Sequence, residues 1–278
     1  MSVLLSMQIE FSNCCENISD RQGDNMKNND QIEQAKMFWN RVARDWDIQV
    51  GDEGDSNRIL NSDPVLWKFA GNVEGLAVLD AGCGTGYLSR KLHKKGAKVI
   101  GVDFSSKMIE VARSKAQAID FRVDSCSDLR TVPDASVDLV IANYVLMDTP
   151  DLEGAMKSFN RVLKTGGFVI AVFSHPCFPQ GQARASVNEG SMQYNWSFPY
   201  FDQKQCIDPP WGHFKSEFIW FHRPLSDYFK AFKAAGFSLV DFEEPRVTEA
   251  RQHLAESASK LKNSKLRPYS VAFKLQKV

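Results

Sequence analysis

Three glycines and two acidic residues are spaced in a way that could hold a nucleotide-like ligand. An apolar run leads into Asp80, and Gly82, Gly84 and Gly86 follow at alternate positions. Glycine has no side chain, so the chain can turn sharply here and a ligand can lie against bare backbone. A second apolar run leads into Asp103, and an acid at the tip of a second strand can accept hydrogen bonds from ribose hydroxyls. We therefore predict a ligand site where two successive strands end.

The spacing of the glycines distinguishes between two kinds of nucleotide-binding turn. The dinucleotide fingerprint G-x-G-x-x-G has its third glycine three places after the second. Here that position is Tyr87, and the third glycine comes one residue earlier, at Gly86. The sequence D-A-G-C-G-T-G instead resembles motif I of the class I S-adenosylmethionine (SAM)-dependent methyltransferases. The resemblance implies that the acid and the glycines hold the amino-acid end of SAM, with S-adenosylhomocysteine as the product.

The same resemblance implies further cofactor contacts at the ends of later strands. In this family the acid that ends the third strand, or its neighbour, meets the adenine amino group, which points to Asp124 and Ser125. A capping role for Asp124 is the alternative interpretation. The predicted cofactor-binding residues are Asp80, Gly82, Gly84, Gly86, Asp103, Phe104, Met108, Asp124, Ser125 and Asn143.

Strands and helices alternate along the part of the chain that must position these residues. Strands are predicted from residue 78 and at residues 98–102, 119–123, 137–142, 168–173, 237–242 and 269–275. Helices are predicted at residues 30–46, 64–70, 87–92, 105–113, 151–163 and 224–235, with a loop at 47–61 and a glycine stop at 164–167. The order is typical of a doubly wound α/β sheet. The resemblance implies seven strands, mostly parallel, with the last strand antiparallel between the fifth and sixth.

Composition divides the chain further. Residues 1–30 are polar and predicted to be a disordered lead-in, and residues 31–70 are predicted to cover the cofactor, as in similar methyltransferases. Residues 71–174 and 224–278 make up the predicted SAM-binding core. Residues 175–223 form an insertion of 49 residues with 11 aromatics, which we predict to be a substrate cap.

Aromatic residues near the predicted methyl-transfer position are the candidate substrate contacts. Aromatic faces stabilise a cationic sulfonium or amine through cation–π contact, worth about 0.5–2 kcal/mol. The alternative is that the aromatics of the insertion form a small core of their own. The predicted substrate-binding residues are Trp39, Tyr144, Trp196, Tyr200, Trp211 and Trp220.

Two histidines are the candidate catalytic bases. His175 directly follows the fifth strand and His222 ends the insertion, and a histidine near neutral pKa can deprotonate a phenol or an ammonium. A structural or substrate-orienting role is the alternative for each, and His213 ranks third. Asp148 and Asp151 are the only acids just after the fourth strand, and they do not make a convincing metal triad. We predict no metal.

Charge and cysteine usage limit the partners. The 34 basic and 34 acidic residues balance, which disfavours nucleic acid and anionic membranes as partners. No apolar run of 18 residues, signal-peptide pattern or C-x-x-C pair occurs, so we predict a reduced cytoplasmic protein, monomeric or homodimeric.

These observations predict a SAM-dependent methyltransferase. Its acceptor would be oxygen or nitrogen of a small aromatic or apolar molecule, such as a secondary metabolite, methylated by in-line displacement. The Asp/Asn-Pro-Pro-Tyr motif of base and glutamine methyltransferases is missing at Asn143. The alternatives are carbon methylation, SAM binding without catalysis and, more remotely, a nicotinamide-dependent oxidoreductase.

Overall fold

The computed structural model describes residues 24–178, 183–185, 191–194 and 196–278. Its helices are α1 (Asp24–Val50), α2 (Asp63–Ala70), α3 (Tyr87–Lys94), α4 (Ser106–Lys115), α5 (Leu152–Val162), α6 (Leu225–Ala234) and α7 (Ala258–Leu266). A π-helical turn (Arg58–Ser62) precedes α2, and a 3-10 helix (Glu249–Leu254) precedes α7. No helix in these described ranges is both long and apolar enough to cross a lipid bilayer.

Eleven strands are present in the described residues. They are β1 (Ala77–Ala81), β2 (Lys98–Asp103), β3 (Asp120–Val123), β4 (Val137–Asn143), β5 (Leu163–Ser174), β6 (Ala183–Ala185), β7 (Met192–Tyr194), β8 (Lys204–Asp208), β9 (Phe218–His222), β10 (Phe237–Glu243) and β11 (Ser270–Lys277).

Seven of these strands form one sheet in the order β10-β11-β5-β4-β1-β2-β3. β1 to β5 run parallel, and β11 lies antiparallel between β5 and β10. This confirms the predicted fold class and the position of the last strand. β1 and β4 are parallel neighbours in the middle of the sheet. The strands that follow β1 are added on one side, and the strand that follows β4 is added on the other, so the strand order reverses between β1 and β4.

Both faces of the sheet are covered, which explains why its central strands are apolar on both sides. Helices α5 and α6 pack on one face, where Phe159, Tyr228 and Phe173 are buried. Helices α2, α3 and α4 pack on the other face, where Leu66 and Leu92 are buried. The two cores fix the ends of the strands that carry the predicted site.

The N-terminal helix differs from its prediction at both ends. It begins at Asp24 rather than Asp30 and continues to Val50. The helix starts before its first apolar residue, because helical hydrogen bonds do not require the side chains to pack. The spacing of apolar residues indicates only the part of the helix that packs against the rest of the protein. The predicted lead-in is therefore wrong for residues 24–30, and its remainder, residues 1–23, lies outside the described residues.

Two further local predictions are wrong. Residues 47–61 are not one loop, because Asp55 accepts a hydrogen bond from the Arg58 amide at 2.9 Å and starts a helical turn. Residues 164–167 are not a helix stop, because α5 ends at Val162 and β5 begins at once. Pairing with β4 jumps from Leu163 to Phe168, so the residues between them bulge out of the strand.

The insertion contains two antiparallel hairpins in its described part. β6 pairs with β7, and β8 pairs with β9. Phe214, Phe218 and Ile219 pack against Phe38 and the neighbouring turns of α1. The insertion therefore supports the helix that covers the sheet edge.

Candidate active site

A cleft of about 880 Å³, open to solvent at its mouth, lies at the carboxyl ends of β1, β2 and β4. Sheets of this kind bind their ligands in the crevice where the strand order reverses, and β1 and β4 flank that point here. One wall is helix α1, which contributes Ile32, Trp39, Trp46 and Val50. The predicted helical cover therefore closes the cleft on one side.

The three glycines after β1 have different structural roles. All have positive φ angles, +69° for Gly82, +53° for Gly84 and +81° for Gly86. A Cβ on Gly82 would lie 2.4 Å from Val145, and one on Gly86 would lie 2.8 Å from the Phe121 ring, so both allow close packing. A Cβ on Gly84 would meet only the Trp46 ring, at 3.7 Å. Gly84 is therefore the glycine whose bare backbone opens to the cleft.

Two buried carboxylates stand behind the glycine turn. Asp80 accepts a hydrogen bond from Ser89 Oγ at 2.5 Å. Asp103 accepts one from the Gly84 amide at 3.0 Å and one from the Ser105 amide at 2.9 Å. Burial raises the pKa of Asp80 to about 7 and that of Asp103 to about 6. A cationic or hydroxyl-bearing ligand favours the ionised carboxylates, so both can recognise one.

Asn143, at the end of β4, presents an acceptor with no partner. Its Nδ2 donates to the Tyr87 hydroxyl at 2.8 Å, and that hydroxyl donates to Asp63 at 3.0 Å. This chain fixes the orientation of the amide. Its Oδ1 is buried and has no hydrogen-bond partner among the described residues. An unpaired buried acceptor costs about 1–3 kcal/mol, which is the signature of a position that a ligand donor completes.

A buried arginine faces the same cleft. The Arg58 guanidinium carbon lies 5.2 Å from the Trp46 ring centroid and 5.4 Å from those of Tyr87 and Tyr144. It pairs with Asp55 at 3.0 Å, while its Nε has no hydrogen-bond partner in the described part of the chain. Arg58 was not among the predicted site residues because it lies in the segment predicted as a loop. The Asp55-to-Arg58 spacing was the available signal for a helical turn there.

Most predicted cofactor contacts meet in this cleft, and two do not. Asp80, Gly82, Gly84, Asp103, Phe104, Met108, Ser125 and Asn143 line it. Gly86 is packed beneath the turn, against Phe121. Asp124 accepts hydrogen bonds from the Ser125, Arg130 and Thr131 amides, so it holds the loop after β3. This placement agrees with the capping alternative for Asp124.

Only two of the six predicted substrate contacts line the cleft, Trp39 and Tyr144. Trp196 packs edge-on against Phe198 and Tyr200, Trp211 stacks on Phe218, and Trp220 meets His222. These rings pack against one another, as the alternative interpretation of the insertion proposed, although Trp211 stays exposed. Trp196, Tyr200, Trp211 and Trp220 thus stand away from the cleft, and Trp46, not selected from the sequence, lines it.

Neither predicted histidine base lines the cleft. The Cys177 amide donates to His175 Nδ1 at 3.1 Å, so the proton is on Nε2, which donates to Glu244 at 2.8 Å. His222 Nε2 lies 2.8 Å from the Tyr200 carbonyl oxygen. Burial lowers the pKa of both histidines. His213 is exposed and contacts the Asp45 carbonyl. The arrangement supports the structural alternative for all three.

The cleft also contains a carboxylate that the sequence suggested only as a possible metal ligand. Asp148, in the loop after β4, lines the cleft. Asp151 instead caps α5, accepting from the Gly154 amide at 2.8 Å. Within the described ranges, no three histidine, cysteine or acidic side chains are grouped as metal ligands.

Comparison with known proteins finds similar methyltransferases. A family model described as a methyltransferase domain matches residues 79–171. The demethylmenaquinone methyltransferase of Lactococcus lactis is 27% identical over 256 residues, covering 84% of this chain and 93% of that protein. The ubiquinone biosynthesis O-methyltransferase of Bordetella avium is 30% identical over 149 residues, which cover 51% of this chain and 61% of that protein. The chain thus matches less than two thirds of the Bordetella relative.

The fold is shared with solved structures. An S-adenosylmethionine-dependent methyltransferase from Mesorhizobium loti superposes with a TM-score of 0.66 at 23% identity, covering 82% of this chain and all of that chain. The matched domain includes the glycine turn, both buried carboxylates and Asn143. The matched domain, the named relatives and the shared fold together support a class I SAM-dependent methyltransferase.

Proposed function

We propose that this methyltransferase acts on a small molecule with an aromatic or apolar body, at oxygen or nitrogen. One observation carries the proposal: the aromatic wall of α1 faces the open backbone of the glycine turn, with Trp46 Nε1 3.7 Å from the Cβ position of Gly84. Trp39 and Tyr144 extend this wall along the cleft. A flat apolar acceptor fits such a surface better than a charged macromolecule does.

The residues that line the cleft fit SAM. When bound, SAM supplies an electrophilic methyl group on a positively charged sulfur. Asp103 retains lone pairs for ribose hydroxyls, because each of its oxygens accepts one backbone amide. Asn143 Oδ1 and Asp80 can receive the ammonium group, and Arg58 is a buried cation for the carboxylate. Phe104, Met108 and Ser125 complete the wall on the nucleoside side.

The names of two relatives support the acceptor class. The names demethylmenaquinone methyltransferase and ubiquinone biosynthesis O-methyltransferase both refer to quinone chemistry. A reduced quinone is a ring with hydroxyl groups, and the cleft offers aromatic walls and hydrogen-bonding groups together. We extend the proposal to secondary metabolites with such a ring. We also propose a cytoplasmic location, where the thiols of Cys83, Cys126 and Cys177 would stay reduced.

Transfer of label from methyl-labelled SAM tests the proposal. The protein would be incubated with 1,4-naphthohydroquinone, catechol and a small-molecule extract of the source cell, with the Asp103→Ala variant as control. We expect labelled small molecules with the wild type and a large loss with the variant. Label found only on a ring carbon would establish the carbon-methylation alternative. S-adenosylhomocysteine binding without any labelled small molecule would contradict the proposal and favour a binding protein without catalysis.

A further inference from the structure

The carboxylate of Asp148 lines the cleft and makes no hydrogen bond to any side chain or amide in the described part of the protein. Its neighbours in the same loop, Val145, Thr149 and Pro150, also line the cleft. Thr149 is occupied, because its hydroxyl donates to the Val145 carbonyl at 2.9 Å. Asp148 is therefore the acidic group of this loop that is available to a second ligand beside SAM.

The loop that carries Asp148 is held from behind by the end of the insertion. Arg223 is buried and donates to the carbonyls of Thr149 at 2.7 Å and Pro150 at 2.6 Å. The Phe221 amide donates to the Met147 carbonyl at 2.7 Å. These bonds flank Asp148 on both sides, so its backbone position is fixed without any bond to its carboxylate. A carboxylate that is held in place at a cleft, and that has no hydrogen-bond partner in the described residues, is available to bind a ligand.

The charges around Asp148 set its proton affinity. Burial raises the pKa of Asp148 well above its ordinary value, Arg58 opposes this, and Asp208 of β8 adds to it. Tyr228 also lies near it, and Arg223 binds the carbonyls of the next two residues. Raising the proton affinity of a carboxylate makes it a better base when it is ionised. A positively charged ligand beside it favours the ionised form.

We infer that Asp148 contacts the methyl acceptor and accepts the proton of its reacting hydroxyl. This inference rests on the proposed function, because it concerns a second ligand in the same cleft. The proton passes to a carboxylate oxygen of Asp148, the electron pair of the O–H bond remains on the acceptor oxygen, and Asp148 becomes a neutral acid. The role assigned from the sequence to His175 or His222 then belongs to a residue that lines the cleft.

A matched pair of probes tests the contact without turnover. 1-Naphthol and naphthalene share a ring system and differ in one hydroxyl. Their dissociation constants would be measured on the S-adenosylhomocysteine complex of the wild type, Asp148→Ala and Asp151→Asn. Asp151→Asn is the matched control, because an asparagine side chain retains the cap of α5.

We expect the wild type and the control to bind 1-naphthol about tenfold more tightly than naphthalene, and Asp148→Ala to lose most of this preference. An equal preference in Asp148→Ala, or none in the wild type, would overturn the inference. Failure of the wild type to bind S-adenosylhomocysteine would overturn the proposed function instead.

Turnover then separates a base from a simple contact. With a hydroxyl acceptor that is methylated, Asp148→Asn should lower kcat/KM by about 10²–10⁴-fold, because the amide accepts a hydrogen bond but not a proton. The affinity of Asp148→Asn for S-adenosylhomocysteine should stay within about twofold of the wild-type value. A kcat/KM unchanged in Asp148→Asn would contradict the proton-accepting role.

Discussion

The backbone amide of Gly84 donates a hydrogen bond to Asp103 Oδ2 over 3.0 Å. This bond joins the glycine turn after β1 to the tip of β2, so the two halves of the predicted motif form one rigid unit. The other carboxylate oxygen accepts from the Ser105 amide at the start of α4. Asp103 therefore joins the glycine turn, the tip of β2 and the start of α4, and each of its oxygens can accept a further hydrogen bond.

Replacing Asp103 tests its contact with the cofactor. We expect Asp103→Ala to weaken S-adenosylhomocysteine binding by about 1–3 kcal/mol, because ribose hydroxyls are left without their acceptor. Isothermal titration calorimetry measures this loss. Glu110→Ala, an exposed acid on α4, is the control and should bind like the wild type. Unchanged affinity in Asp103→Ala would show that the acid at the tip of β2 is not a ribose acceptor.

Gly82 is predicted to be required for packing as well as for its backbone angle. An alanine Cβ there would lie 2.4 Å from Val145 Cγ2, with φ at +69°. Gly75 also has a positive φ, +76°, and no neighbour within 4 Å, so Gly75→Ala is the control for the backbone strain. We expect Gly82→Ala to lower the free energy of unfolding by about 1–3 kcal/mol more than Gly75→Ala does. Urea denaturation of both variants measures the difference.

Removing the clashing side chain provides the check on that prediction. In a Val145→Ala background, the added penalty of Gly82→Ala should shrink, because two residues in contact are not additive. Equal penalties in both backgrounds would mean that Val145 is not what restricts Gly82.

The sheet and the strand ends that line the cleft could be predicted from the sequence because local patterns determine them. Apolar runs buried on both faces identify parallel strands, and the glycine turn between Asp80 and Gly86 lies within one short segment. Most of the predicted cofactor residues line the cleft because the ends of these strands must meet at one edge of the sheet. Gly86 and Asp124 do not, since packing against Phe121 and hydrogen bonds within the loop after β3 hold them elsewhere.

The acceptor side of the cleft could not be predicted in the same way. Trp196 and Trp211 belong to an insertion whose aromatic content is typical of a substrate cap. Whether one of these rings faces a cleft or packs on another ring depends on contacts between distant segments. Arg58, in the π-helical turn before α2, and Asp148, in the loop after β4, meet at the cleft only once distant segments of the chain have packed. His175 follows a strand directly, yet Glu244 and the Cys177 amide occupy its ring.

Arg58 is predicted to hold the carboxylate of the cofactor. Arg58→Gln should weaken binding of S-adenosylhomocysteine by about 1–3 kcal/mol, because the charged hydrogen bonds to that group are lost. 5′-Methylthioadenosine has the same nucleoside without the amino-acid end, so its affinity should change little. Calorimetry with both ligands measures this, and Arg44→Gln, an exposed arginine on α1, is the control. An equal loss for both ligands would indicate that Arg58 only supports the fold.

Asp80 is predicted to make the ligand-free protein less stable as pH rises. Its pKa is raised from 3.8 to about 7 by burial, so between these values the folded state binds a proton that the unfolded state has released. Unfolding then releases a proton, and the free energy of unfolding falls as pH rises through this window.

Asp80→Asn keeps an acceptor for Ser89 Oγ but cannot ionise. The variant should match the wild type most closely near pH 4 and become progressively more stable than it toward pH 8. Urea denaturation at several pH values measures this difference, with the exposed Glu153→Gln as control. A difference between Asp80→Asn and the wild type that does not vary with pH would show that the buried carboxylate does not titrate in this range.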